Sequence, residues 1–258
     1  MNTDKVSVIV PTIGRRSLVR TIDSILSQGE LVHELIVVCS RPLELELPDD
    51  TRVIVLSASH EFNVSNARNV GLQKVASVSN WVAFCDDDDI WLPGKLKNQI
   101  DYCLANRLDG SYTAAIVARA DTRTTIRPST GYNVKDAPLA QVYKSLFSRG
   151  GYLPFPSFCF RANLLRFAYF DEKFTEHEDL LFVQNLYMLG FKFGQLTTPL
   201  IQISYDINRS LKRLNLVQEF LWVKKLCYLS FRWAFVYVFR VLFLKLIFTY
   251  VLRKPLWI

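Results

Sequence analysis

Four consecutive aspartates, Asp86 to Asp89, follow directly on the apolar run Trp81-Val-Ala-Phe-Cys85 and precede Ile90-Trp-Leu-Pro93. Adjacent carboxylates repel one another, so the chain at this point cannot continue a buried strand and must emerge from the core beside something cationic. The mouth of a strand is also where an α/β sheet presents its ligand-binding groups. The run therefore implies a sheet whose edge carries a site. Its natural occupant is a divalent metal holding a phosphorylated substrate. A carboxylate at the start of a helix near Pro93 would gain about 0.3–1 kcal/mol from the macrodipole. That is too little to account for four in a row, and oxygen ligation of Mg2+ or Mn2+ fits better.

From Val6 to about Tyr205 short β-branched runs alternate with helical patterns, which predicts a largely parallel sheet covered by helices. Val6-Ser-Val-Ile-Val10 reads as a buried strand stopped by Pro11. Leu18, Ile22, Ile25 and Leu26 then share one helical face, closed by Gly29. Further strands are expected over 34–38, 52–56, 112–118 and 157–161, and helices over 65–75, from Pro93 to about Asn106, over 139–147 and over 179–189. The polar stretch 119–138 reads as a surface loop over the site.

Half of the 258 residues are hydrophobic, enough for one large folded domain. The surplus charge of +7 is confined to the end of the chain, because residues 206–258 hold ten Lys/Arg against two Asp/Glu. The five cysteines are scattered without CxxC spacing and read as buried free thiols in a reducing compartment. The polar start Met1-Asn-Thr-Asp-Lys5 passes straight into a strand, so no signal peptide is expected and the catalytic part is expected in the cytosol.

Five motifs then occur in a recognisable order: Val6-Ser-Val-Ile-Val-Pro-Thr12, Ser24-Ile-Leu-Ser-Gln28, Asn66-Ala-Arg-Asn-Val-Gly71, Phe84-Cys-Asp-Asp-Asp-Asp-Ile-Trp-Leu-Pro93, and Phe170-Asp-Glu172 with Glu178-Asp179. Over residues 5 to about 210 the chain resembles family 2 glycosyltransferases, inverting enzymes that use nucleotide sugars. The resemblance implies the GT-A fold: a Rossmann-like, mostly parallel central sheet flanked by helices. It places Pro11 and Thr12 in the nucleotide pocket and Arg68 against the base or a phosphate. Asp86 and Asp88 match the two acids of a DxD-type motif; Asp88 is the expected main metal ligand, Asp86 a contact to the ribose or the metal shell, and Asp87 a further donor contact. Glu178-Asp179 supplies the catalytic base, assigned to Asp179 with Glu178 as the alternative. His177 adjoins the pair and is read as a surface or hydrogen-bonding residue. Asn208-Arg-Ser210, with Lys212 and Arg213, loosely matches a segment that closes over the diphosphate, so Arg209 is a candidate donor contact. One departure stands out. The acidic pair that the family usually carries after the second strand is replaced by Cys39-Ser40, which offer weaker or neutral hydrogen bonds.

The expected organisation is a catalytic domain over 1–213, with a nucleotide-sugar half to about 110 and an acceptor half beyond it, followed by a basic-aromatic tail over 214–258. No uncharged stretch of the tail reaches the roughly 20 residues that span a bilayer. At 100° per residue Lys224, Lys225, Arg232, Arg240, Arg253 and Lys254 share one face, against a broad face of Phe, Leu, Val and Trp. That pattern fits an amphipathic helix lying on an anionic membrane surface; the alternative is packing on the domain or on a second subunit. The expected protein is a metal-dependent hexosyltransferase, peripheral on the cytoplasmic face of a bacterial inner membrane. It would use a nucleotide diphosphate sugar, in first place a UDP-sugar, and a lipid-linked saccharide acceptor of O-antigen, capsule or a related glycan. A homo-oligomer is compatible with this. The rivals are a sugar nucleotidyltransferase, whose longer Gly-rich loop Thr12-Ile-Gly-Arg-Arg16 lacks, and a catalytically dead membrane adaptor. Nucleic acid is a poor partner, because the tail's aromatics lie in continuous apolar runs.

Overall fold

The computed structural model describes residues 4–39, 42–58, 63–119, 124–127, 154–205, 215–229, 235, 237 and 238. The helix expected over 139–147, most of the loop over 119–138, Ser40, the segment containing Arg209, and nearly all of the tail beyond 229 lie outside them.

Strand β1 (Val6–Thr12) is buried at every residue and lies between β2 (Val32–Cys39) and β4 (Trp81–Phe84), parallel to both. Strand β3 (Val53–Ser57) adds to β2, again parallel. The strand expected to stop at Pro11 runs on to Thr12. Strand β4 pairs with β1 only as far as Ile9, so beyond that point β1 has one neighbour and a missing N–H is tolerated.

Beyond β4 the sheet changes character. Strand β8 (Cys159–Arg161) pairs antiparallel with β4, and β6 (Gly110–Arg119) antiparallel with β8. Strand β9 (Phe193–Tyr205) runs parallel to β6, whereas β5 (Ile90–Trp91) on β9 and β7 (Thr124–Arg127) on β6 are antiparallel. The order is β3-β2-β1-β4-β8-β6-β9-β5, with β7 on β6. The mostly parallel sheet expected from the sequence is therefore mixed. Parallel pairs need long crossovers; three lie among β1 to β4 and a fourth joins the two longest strands, β6 and β9, while the short strands β5, β7 and β8 pair antiparallel.

Alternation along the strands sends side chains to two cores. Val8, Val10, Leu35 and Val37 meet Leu18, Ile22 and Ile25 of α1 (Leu18–Leu26) and Leu96, Ile100 and Cys103 of α3 (Lys95–Asn106). Ile9, Ile36, Val38 and Phe84 face Ala67 of α2 (Val64–Lys74) and Phe182 and Leu186 of α4 (Glu178–Met188). Helix α3 starts two residues later than expected: Pro93-Gly94 forms a turn, with Gly94 left-handed at φ 76°.

Helix α5 (Leu216–Leu229) departs from the segregated faces read from the sequence. Its buried side carries Gln218, Glu219 and Trp222, whereas Val217 and Phe220 are 67% and 68% exposed on the side of exposed Lys224. The reason is the surface it meets. Gln218 donates to Lys173 O (3.1 Å) and accepts from Thr175 N (3.0 Å), so a polar side chain is what that loop selects. No described helix is long and apolar enough to cross a membrane.

Candidate active site

The parallel strands β1 and β4 deliver the site to one edge of the sheet. Cys85 N–H still donates to Ile9 O (3.1 Å), and the chain then turns sharply, with Asp89 N–H donating to Asp86 O (3.1 Å). This turn splits the four aspartates into two kinds. Asp86 and Asp88 are partly exposed, whereas Asp87 and Asp89 are each 2% exposed. Asp87 accepts a hydrogen bond from Thr12 Oγ1 (2.7 Å) and forms an ion pair with Arg15. Asp89 accepts from Ser204 N (3.3 Å), and its backbone carbonyl accepts from Thr21 Oγ1 (2.8 Å). Burial, then the charges of Asp86 and Asp88, push the Asp89 carboxyl well above the usual carboxylate range. Two acids thus brace the turn and two are left partly open to solvent. Asp88 lies 3.9 Å from Arg15 Nη1.

Arg68 lies on α2 with its side chain 4% exposed, between Asp86 and the acidic start of α4. Nη2 donates to Asp86 Oδ1 (3.0 Å) and Nη1 to Glu178 Oε1 (3.1 Å), while the guanidinium carbon sits 4.7 Å from the Phe155 ring centre and 5.3 Å from that of Phe170. The structure gives Arg68 carboxylates as partners where the resemblance suggests a base or a phosphate. Its neighbours hold the same helix to the 170–174 segment: Asn69 exchanges hydrogen bonds with the Phe170 backbone (2.9 and 2.8 Å), and Ser65 Oγ donates to Phe174 O (3.0 Å). The Asn66-Ala-Arg-Asn69 motif therefore ties the aspartate turn to the segment that leads into Glu178-Asp179.

Glu178 and Asp179 occupy the first turn of α4, where the dipole favours negative charge. Asp179 Oδ1 accepts from Leu180 N (2.7 Å). Burial comes first in raising both carboxyls: Glu178 is pushed up to about 7, helped by Asp179 and opposed by Arg68, and Asp179 is raised against the pull of Arg68. Such a shift brings a carboxylate into the range useful for a general base. Pro11 and Thr12 are buried at the end of β1. The Cys39 thiol is turned away from the cleft, donating to Leu56 O at 3.1 Å.

Asp86 and Asp88 offer an oxygen-only, two-residue donor set. It suits Mg2+ or Mn2+, which take one or two carboxylates and complete their shell with water and substrate phosphates. Among the described residues, three ligand atoms within 4.8 Å of one another occur elsewhere, at Glu176, His177 and Glu219.

A sequence model of glycosyl transferase family 2 matches residues 7–174, well over half of the chain and including β1, Arg68 and the four aspartates. The chain belongs to this family. Among relatives of this glycosyltransferase, the Escherichia coli UDP-Glc:alpha-D-GlcNAc-diphosphoundecaprenol beta-1,3-glucosyltransferase WfgD is 34% identical over 115 residues, 42% of this chain and 44% of WfgD. TuaG of Bacillus subtilis, a glycosyltransferase assigned to teichuronic acid biosynthesis, is 30% identical over 116 residues, 42% of this chain and 45% of TuaG. The matched stretch thus spans less than half the length of these relatives. Among solved structures, S. aureus TarS 1-349 in complex with UDP-GlcNAc superposes with a TM-score of 0.57 at 19% identity, covering 78% of this chain and 59% of TarS 1-349. The fold is shared.

Sequence reasoning missed Arg15, although an arginine directly after the first strand in Thr12-Ile-Gly-Arg15 is a local signal for a partner to the acids. It also missed Phe155, for which spacing gives no signal, and named Phe170 only within a motif, not as a wall against Arg68. Arg209 lies outside the described residues.

Proposed function

We propose that this glycosyltransferase moves one sugar, with inversion, from a nucleotide diphosphate sugar to a lipid-linked saccharide, working at the cytoplasmic face of a bacterial membrane. The observation that carries the reading is Arg68, whose buried guanidinium joins Asp86 to Glu178 and so couples a donor-side acid to an acceptor-side acid. An inverting displacement needs both, one face of the anomeric carbon for the leaving diphosphate and the opposite face for the attacking hydroxyl. The UDP-GlcNAc bound by TarS and the UDP-Glc in the name of WfgD support a UDP-sugar as donor. The diphosphoundecaprenol acceptor in WfgD's name supports a lipid-linked saccharide.

In this reading Arg68 keeps Glu178 oriented and ionised, and the fixed Oδ1 of Asp179 leaves Oδ2 to accept the proton of the acceptor hydroxyl as its oxygen attacks. Asp86 and Asp88 would hold Mg2+ or Mn2+, which when bound supplies positive charge to the diphosphate of the leaving nucleotide. Thr12 and Arg15 fix Asp87 and through it the turn that presents Asp86 and Asp88.

A thermal-shift screen of nucleotide diphosphate sugars with and without Mn2+, followed by product analysis, tests the proposal. A UDP-sugar at about 100 times its Kd should stabilise the protein by about 2.7 kcal/mol, in the presence of the metal, and turnover should release nucleoside diphosphate. Release of pyrophosphate, or stabilisation by no nucleotide sugar, would overturn it.

A further inference from the structure

The loop before the catalytic pair is held by the C-terminal helix. Gln218 bonds to it twice, at Lys173 O and Thr175 N. His177, the residue immediately before Glu178, has a left-handed backbone (φ 63°), an uncommon conformation for a residue other than glycine, which its surroundings can hold in place. Those surroundings come from the tail. The His177 ring stacks on fully buried Trp222 (centroids 5.2 Å apart, planes at 21°), its Nε2 lies 3.2 Å from the Tyr237 hydroxyl and 3.5 Å from Glu219 Oε2, and Tyr237 also donates to Glu219. Although Glu176, His177 and Glu219 bring ligand atoms together, His177 and Glu219 are already engaged with Tyr237, so the cluster reads as a hydrogen-bonded clasp and not as a metal site.

We propose that helix α5, with Tyr237 beyond it, is a positioning element for the catalytic pair: Trp222, Gln218 and Tyr237 fix His177 and the 173–177 loop, and thereby the direction in which Asp179 meets the acceptor. Arg68 orients Glu178 from the donor side, and the tail orients the same turn from the opposite side. The contacts of these tail residues go to Lys173, Thr175 and His177, so the effect falls on the turn before Glu178 and donor affinity is expected to hold. This inference rests on the assignment of Glu178-Asp179 as the base pair. Small misplacements of a catalytic group cost as much as 10²-fold in rate.

Trp222→Ala and Gln218→Ala are compared with Trp222→Phe, which keeps a ring against His177, and with Val217→Ser on the exposed side of the same helix. Hydrogen exchange is followed over residues 173–181, alongside kcat and the Kd for UDP-sugar with Mn2+. In Trp222→Ala and Gln218→Ala, exchange over 173–181 should rise at least about tenfold while the amides of β1 and β4 keep their protection; kcat should fall at least about tenfold with donor Kd unchanged. Trp222→Phe should recover most of kcat, and Val217→Ser should keep wild-type exchange over 173–181. Unchanged exchange over 173–181 in Trp222→Ala, or a loss of donor affinity that parallels the loss of kcat, would overturn the positioning role. If the wild type turns over no nucleotide sugar, the functional reading has failed instead, and the exchange result alone decides whether the tail fixes this loop.

Discussion

Replacing Arg68 by Met would leave Asp86 and Glu178 beside each other without the guanidinium that now separates them. Breaking a buried ion pair costs about 3–5 kcal/mol, and solvent at the 39% exposed side chain of Asp86 lowers the expected loss to on the order of 3 kcal/mol. The loss should depend on pH, with a sign fixed by Glu178. Its folded carboxyl titrates at about 7 against an ordinary 4.5, so its contribution to stability is full below 4.5 and is lost as pH rises through 7. Without Arg68 the folded value moves higher still. Urea midpoints should therefore separate wild type from Arg68→Met more at pH 8 than at pH 5.5, and an equal gap would mean that the guanidinium does not set the charge of Glu178. In the proposed reaction the same raised pair supplies the base. Because the base must be ionised, kcat/KM should climb with pH through an apparent pKa above the usual carboxylate range, since burial raises both carboxyls. Asp179→Asn should lower kcat at least about 10²-fold with donor Kd unchanged; if Glu178→Gln is the variant that loses turnover while Asp179→Asn keeps it, the base is the other neighbour. Much of this was legible in the sequence, since adjacent carboxylates and the Glu178-Asp179 pair announce themselves by local charge. The link through Arg68 was not. It joins residues 110 positions apart, and an arginine on a helix with polar neighbours looks the same in sequence whether it faces solvent or two acids.

At the level of elements, the packing of α2 on β1 sets where Arg68 stands. A Cβ on Gly71 would lie 2.5 Å from Ile9 Cγ2, closer than two carbons can approach, so the absence of a side chain there is what lets the helix lie against the strand. Gly71→Ala should cost about 1–3 kcal/mol, the usual range for overpacking a core, despite alanine's better helix propensity of about 1 kcal/mol. Chemical denaturation measures it; a stabilised Gly71→Ala would show that helix and strand can part without penalty. Elements with a clean period were legible: β1, β2 and β4 as apolar runs, and α1 from Leu18, Ile22 and Ile25. Strand β9 was not, because Pro199 interrupts its pattern and is accommodated by register shifts against Thr113, Ala114 and Ala115 of β6. Two-residue β5 is too short to carry a period at all. The sheet's mixed directions were equally hidden, since strand sequences record burial but not the direction of the neighbour.

For the whole molecule, the remaining question is what the basic, aromatic end of the chain is for. Its described helix turns Gln218, Glu219 and Trp222 to the domain and leaves Val217, Phe220, Lys224 and Lys225 exposed, so apolar and cationic side chains share the outward side. Mixed surfaces of this kind bind an anionic interface by burying apolar groups beside lipid and placing lysines at the headgroups. The proposal of a membrane-bound enzyme therefore survives in a changed form: the helix is both part of the folded body and the side of it that would meet lipid. The full chain should bind vesicles containing phosphatidylglycerol in preference to neutral ones, and salt should weaken the binding without abolishing it. Replacing Lys224, Lys225, Arg232 and Arg240 by Gln should remove up to about 1 kcal/mol of anionic-lipid affinity per charge, erasing the preference while donor affinity and Tm stay near the wild type. Phe220→Ser should reduce binding to both kinds of vesicle, because it removes apolar contact and no charge. Equal vesicle binding by wild type and the four-fold Gln variant, measured by co-sedimentation, would end the case for an anionic membrane as the partner of this face.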